Sequence, residues 1–239
     1  MPDTSLWFKD LDRYIAGARP QFESLLGQLV ETPTVSADPA YLPSIKAGAS
    51  LAKQAIEGMG GTADIVETPG NPVIVGKMGS HAGAKTLTIY NHMDVQPAQE
   101  PEWTAEPFKF VIDGDRYLGR GSTDDKGPAL SALFAARYAQ EAGIPLNIQF
   151  IWELEEEIGS PNFAHFLGAR GEGLRTDSVL ISDTVWLSRQ VPAMPYGLRG
   201  LQAVTLSLET ATRSHRTLFS IDGWEPHGLS KYQQSVAAR

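Results

Sequence analysis

The segment Gly119-Arg120-Gly121-Ser122-Thr123-Asp124-Asp125-Lys126-Gly127-Pro128 sets two adjacent acids between glycines, directly ahead of residues with helical spacing. Acids placed this way can hold a cation, work as acid or base, or cap a helix. Three other places carry related chemistry. His92 and Asp94 are two apart, so in an extended segment their side chains project to the same face; the imidazole can ligate while Asp94 supports its second N–H. Glu153, Glu155, Glu156 and Glu157 follow one apolar run, and Asp183 follows another. Carboxylates gathered together repel one another unless some are protonated or a cation is bound. A divalent ion would relieve that repulsion and divide the labour, with one carboxylate as ligand and its neighbour as general base. A solvated helix N-cap is the plain reading of the Asp124-Asp125 loop, and a phosphate loop is the rival functional one. The phosphate reading fits poorly, because Asp125 rather than Gly precedes Lys126 and Gly127 rather than Ser or Thr follows it.

The elements that must deliver these residues can be read from hydrophobic periodicity. The run 85–90 predicts a buried strand, 147–152 predicts another strand, and a further apolar run lies at 179–182, each ending at one of the candidate groups. In open α/β sheets, ligands bind in the crevice beyond the carboxyl ends of the strands. Helices are predicted over about 4–30, with Pro20 near a helix start, and over 42–59. Further helices should run from about Pro128 to a stop at Gly143, and from Pro161 behind a Ser160 cap through Phe166. Short strands at 62–67 and 72–77 precede the His92 strand, and a hairpin turning at Asp113-Gly114-Asp115 leads into the acidic loop. A strand with one apolar face starts at about Leu201, whereas beyond Arg213 neither period persists and weak structure is expected. Helices and strands alternate, which predicts an α/β fold with a mostly parallel sheet and helices on both faces.

Composition limits the partners. The 239 residues, 42% of them hydrophobic, suffice for a large core, and 28 acids against 20 bases give a net charge of −8. That charge opposes nucleic acid and anionic membrane surfaces as partners and favours cations. With no cysteine, thiolate sites and disulfides are excluded, so a metal would rest on His and carboxylate. The N-terminal residues lack the pattern of a signal peptide, and no apolar run approaches the roughly 20 residues of a membrane span; a cytoplasmic location is expected.

Segments 91–97 (Asn-His-Met-Asp-Val-Gln-Pro), 103–108, 119–128, 153–160 and 181–183 resemble, in order, the signature segments of the di-zinc peptidase family. That family includes carnosinase-type dipeptidases, glutamate carboxypeptidases, aminoacylases and succinyl-diaminopimelate desuccinylases. The dipeptidase branch is most similar, through 119–127 and the Gly197-Leu198-Arg199-Gly200 step. The resemblance implies a zinc-exopeptidase-like catalytic domain over 1–196 and the start of an α/β lid and dimerisation domain over 197–239. It also implies hydrolysis of short peptides or N-acyl amino acids by a zinc-activated water, in a homodimer with two zinc ions per subunit, for which manganese or cobalt can substitute. Carried onto this sequence, Asp124 would bridge the two ions, His92 and Asp183 would complete one, and Glu157 would ligate the other. Glu156 would be the general base and Asp94 would support His92. The peptide bond after Asp124 would be cis.

Two family features are not matched. Arg213 is followed by Ser214-His215-Arg216-Thr217-Leu218 where the family has Asp-Leu-His-Ser-Gly, and neither His215 nor His227 lies in the motif of the late histidine ligand. The lid domain is therefore read as truncated, with an unmatched tail from about 214. The expectation is one firmly held zinc on His92, Asp124 and Asp183, a weak second position at Glu157, and turnover near background. The alternative reading is an inactive metal-binding fragment, or a paralogue that pairs with a complete subunit.

Overall fold

Helix α1 (Leu11–Val30) buries Leu26, Leu29 and Val30, and α2 (Leu42–Gly58) buries Ile45, Ala49, Ala52 and Ile56, as their helical spacing predicts. There follow β1 (Thr62–Val66), β2 (Val73–Met78), β3 (Lys85–His92), the short pair β4 (Val111–Asp113) and β5 (Arg116–Leu118), α3 (Lys126–Glu141), β6 (Leu146–Glu153), α4 (Phe163–Arg170) and β7 (Ser178–Ile181). The computed structural model describes residues 7–183, 188, 190–197, 200–210, 213–222 and 233–235. The chain divides into two units, Met1–Asp183 and Thr184–Arg239. Among the described residues, no helix is long and apolar enough to cross a membrane.

The first unit is built on a five-stranded sheet in the order β1-β2-β6-β3-β7. Four strands run in one direction and β2 runs against them, in line with the mostly parallel sheet expected. Alternation along β6 sends Ile148, Phe150 and Trp152 into the core packed by α1, α2 and α3, while Ile151 meets Val66, Val73 and Phe166 of α4. Helices thus cover both faces. Burial of each aliphatic or Phe side chain here contributes roughly 1.5–3 kcal/mol. The parallel register sets His92 beside Glu153 and Tyr90 beside Ile181, so the ends of β3, β6 and β7 lie level with one another. Their carboxyl-end loops carry His92, the acids after Glu153, and Asp183.

Some local expectations are corrected. Pro20 lies inside α1 rather than at a helix start. Its missing N–H is tolerated because Ala16, Gly17 and Pro20 all face solvent, where water can take the freed carbonyl. That helix begins at Leu11, and residues 1–6 of the predicted span lie outside the described residues. Helix α4 begins at Phe163, two residues later than predicted, and Ser160 is not its cap. Ser160 adopts φ +51° and its hydroxyl donates to Glu153, so it serves the preceding loop.

In the second unit β8 (Leu201–Thr210) is the strand expected from about Leu201. Residues after Arg213 are not weakly structured throughout: β9 (Arg213–Asp222) pairs antiparallel with β8 from Leu201↔Asp222 to Thr210↔Arg213, and β10 (Gln233–Ser235) adds to it. A strand with no apolar period of its own can be held by its neighbour's backbone, a signal that local patterning does not carry. His215 falls on β9, and His227 lies outside the described residues.

Candidate metal centre

The sheet ends where the chemistry begins. His92, the last residue of β3, is fully buried, with Nδ1 3.0 Å from the backbone oxygen of Asp94. Its Nε2 lies 2.8 Å from Asp124 Oδ1 and 3.8 Å from Asp183 Oδ2. Donation from Nδ1 to the Asp94 carbonyl leaves Nε2 as the nitrogen that faces the carboxylates. The Asp94 side chain is also fully buried, at 3.4 Å from Nδ1. Its carboxylate accepts the Ser36 hydroxyl at 2.6 Å and the backbone N–H groups of Glu156 and Glu157 at 3.2 and 3.1 Å. Asp94 therefore holds the histidine segment and the Glu156-Glu157 turn together.

The four acids at and after the end of β6 divide into two pairs. Glu153 accepts hydrogen bonds from Tyr90 and Ser160, and Glu155 accepts them from the backbone N–H groups of Asn71 and Asn162. Both are buried and brace loops. Glu157 takes a hydrogen bond from Gln96 Nε2 at 2.8 Å, whereas among the described residues the Glu156 carboxylate has no hydrogen-bond partner.

The acidic loop reaches these groups from the other side. Gly121, at φ +88°, makes a turn that a side chain would obstruct, since a Cβ there would lie 2.8 Å from Val95 Cγ1. The Asp124–Asp125 peptide bond is cis, as the resemblance implied. Asp124 is partly exposed above His92, while Asp125 is fully buried and accepts the Asn91 side-chain amide at 2.8 Å and the His92 backbone N–H at 3.1 Å. Lys126 starts α3 and is itself buried.

Burial and mutual repulsion shape the titration of the site. Burial opposes the charge on His92, yet Asp124, Asp94 and Asp125 together outweigh it and raise its pKa to about 11. Asp124, bonded to that imidazole, is held below the usual carboxylate range. Burial pushes Asp125 up to about 8 and also raises Glu156, Glu157 and Asp183. It lowers Lys126 to about 7.

Two groups offer ligand atoms within 4.8 Å of one another: His92, Asp124 and Glu157; and His92, Asp125 and Asp183. The four expected ligands, His92, Asp124, Glu157 and Asp183, all occur in them. One imidazole shared among carboxylates is the oxygen-rich donor set that divalent zinc or manganese accepts. Buried Asp125 Oδ1 has no hydrogen-bond partner, an orphan that a nearby cation would satisfy. Asp125, Lys126 and Ser36 were given no role at the site from the sequence. The first two had a signal, their position in the acidic loop; Ser36 had none, being 58 residues from Asp94.

Residues 88–232 match the family "Peptidase family M20/M25/M40". The chain is similar to the Cys-Gly metallodipeptidase dug1 of Schizosaccharomyces pombe, with 35% identity over 211 residues, covering 80% of this chain and 44% of that protein. It is 39% identical to the human Beta-Ala-His dipeptidase over 135 residues, 54% of this chain and 26% of that protein. Among solved structures, the di-peptidase Dug1p of Saccharomyces cerevisiae superposes with a TM-score of 0.74 at 33% identity, covering 84% of this chain and 45% of that one. Human carnosine dipeptidase 1 gives 0.68 at 27% identity, covering 74% and 41%. The chain thus spans less than half the length of these relatives.

Proposed function

The chain belongs to peptidase family M20/M25/M40, and we propose that it is a zinc-dependent hydrolase of the amide bond in dipeptides or other short peptides, acting in the cytoplasm. The observation that carries this reading is the convergence of His92, Asp124, Glu157 and Asp183 at the carboxyl ends of three parallel strands, beside a Glu156 carboxylate with no hydrogen-bond partner among the described residues. When bound, zinc polarises a carbonyl oxygen and lowers the pKa of a water molecule.

The residues divide the work by position. His92, Asp124, Asp183 and Glu157 would hold the metal, with His92 common to both ligand groups, and Asp125 anchors the loop through the Asn91 amide and the His92 backbone N–H. Asp94 sets the placement of the catalytic turn, because its carboxylate accepts the backbone N–H groups of Glu156 and Glu157. Glu156 acts as general base: burial raises its pKa, which makes its carboxylate a better proton acceptor. After accepting a proton from the attacking water, Glu156 can return it to the leaving amine. The similarity to Cys-Gly and Beta-Ala-His dipeptidases makes those two dipeptides the first substrates to try.

The test is hydrolysis of Cys-Gly and β-Ala-His by metal-free protein and by protein reloaded with zinc or manganese, followed by amine release. Metal-dependent turnover abolished by Glu156→Gln supports the reading. Turnover that is absent, or indifferent to metal and to Glu156, overturns it.

A further inference from the structure

Among the described residues, Lys126 is the one lysine or arginine sealed in the interior, at 1% exposure beneath the acidic loop. Its ammonium does not turn toward the carboxylates it follows in sequence. It donates instead to the backbone oxygens of Leu29 at 2.7 Å and Thr32 at 2.9 Å. Leu29 belongs to the last turn of α1 and Thr32 lies just beyond it, where the helix dipole is negative; Leu29 O also accepts the Thr32 N–H at 3.2 Å. No basic residue of α1 occupies that last turn, so the cation for this helix end comes from a residue 97 positions away.

The same residue closes the loop. The Lys126 backbone N–H donates to Gly121 O at 3.1 Å. Its stem packs so closely on Gly121 that a Cβ there would come within 3.1 Å of Lys126 Cδ. Immediately before it stand Asp125, bonded to the His92 backbone, and Asp124, bonded to the His92 ring. A continuous chain of contacts therefore runs from the end of α1 through Lys126 to the carboxylates around His92.

We propose that Lys126 is a positioning residue for the metal centre: by binding the carbonyl end of α1, it fixes where the Asp124-Asp125 turn presents its carboxylates to His92. Lys126 touches neither substrate nor metal in this role and works through Asp124. The role rests on the metal reading above, since without a metal there is nothing for the turn to position. Charge alone predicts the opposite outcome, because removing an ammonium near an acidic cluster makes the cluster more attractive to a cation. The direction of the change in metal affinity therefore separates positioning from electrostatics, and a purely structural role would lower the melting temperature without altering the metal site.

The experiment is titration of the metal-free full chain with cobalt(II), read by its visible absorption band, for the wild type, Lys126→Met, Lys126→Gln and Asp124→Asn, with folding checked by circular dichroism. The expected result is cobalt binding about 10–100-fold weaker in Lys126→Met, the range for losing a group that orients a ligand, with a shifted band. Lys126→Gln, which keeps a neutral donor for the carbonyls, should fall between Met and the wild type. Unchanged or tighter binding with an unchanged band in Lys126→Met overturns the role, and if that variant does not fold, the same result in Lys126→Gln does so. Failure of both variants to fold marks Lys126 as a residue of the fold and also overturns it. If the wild type binds no cobalt, or Asp124→Asn binds as well as the wild type, the metal reading itself fails and the role of Lys126 falls with it.

Discussion

The carboxylate of Asp94 accepts the backbone N–H of Glu156 at 3.2 Å across 62 residues of sequence, tying the histidine strand to the turn that carries the proposed base. With the Glu157 N–H at 3.1 Å on its other oxygen, Asp94 is saturated by partners from both sides of the site. Asp94→Asn keeps one acceptor oxygen and replaces the other with a donor that faces an N–H. Zinc affinity should fall about 10–100-fold, measured by competition with a chromophoric chelator. Affinity within twofold of the wild type would show that the turn holds itself in place.

Zinc should raise the melting temperature of the protein, because the metal-free site keeps several carboxylates in mutual repulsion and a ligand that binds only the folded state adds stability by mass action. Asp124→Ala removes the acid that faces His92 and should abolish the zinc-dependent gain. Scanning calorimetry with zinc and with chelator measures both. Equal melting in the two conditions for the wild type contradicts the prediction.

The pH dependence follows from His92. In the metal-free protein its pKa lies near 11, so at neutral pH a metal displaces a proton from the imidazole. Apparent zinc affinity should rise with pH, by about tenfold per unit for each proton released. The stability of the metal-free protein runs the other way. A histidine pKa raised above its ordinary 6.5 favours the folded state fully below that value, and the benefit is lost as pH climbs toward 11. Asp125, raised from 3.8 to about 8, acts in the same direction: folding protects its proton, and that contribution declines as pH rises from 3.8 to about 8. Calorimetric titration in buffers of different ionisation enthalpy detects the proton, and binding with no proton release would refute the assignment of His92.

Gly127 offers a steric test at the start of α3. A Cβ there would stand 2.1 Å from the backbone oxygen of Ser122, which cannot swing aside as a flexible side chain can. Gly127→Ala should therefore cost roughly 1–3 kcal/mol and disturb the metal loop. Gly168, inside α4, is the contrast, because a Cβ added there would have nothing within 4 Å; Gly168→Ala should stabilise by roughly 0.5–1 kcal/mol. Thermal denaturation of the pair decides, and similar melting shifts would refute the packing argument.

Much of the scaffold was legible locally. Apolar runs located β3, β6 and β7, helical spacing located α2 and α3, and Gly143 stood just past the end of α3, because these signals depend on neighbours a few residues apart. The kinds of residue able to bind metal were equally plain, and with no cysteine the choice narrowed to His92 and the acids. Local signals did not place Pro20 within α1, start α4 at Phe163 or find β9, since an exposed helix face, a serine turned back to Glu153 and a partner strand each overrode them. What each of the acids touches was decided by tertiary structure. Glu155 and Glu156 are adjacent, yet the first is taken by Asn71 and Asn162 while the second is left without a hydrogen-bond partner among the described residues. Asp94 meets its turn across 62 residues and Lys126 meets α1 across 97, pairings that exist only after the parallel register has brought the strand ends level. Composition and periodicity specify what a segment is; long-range packing chooses what it touches, because each such contact is made by closing a loop whose ends carry no local record of one another.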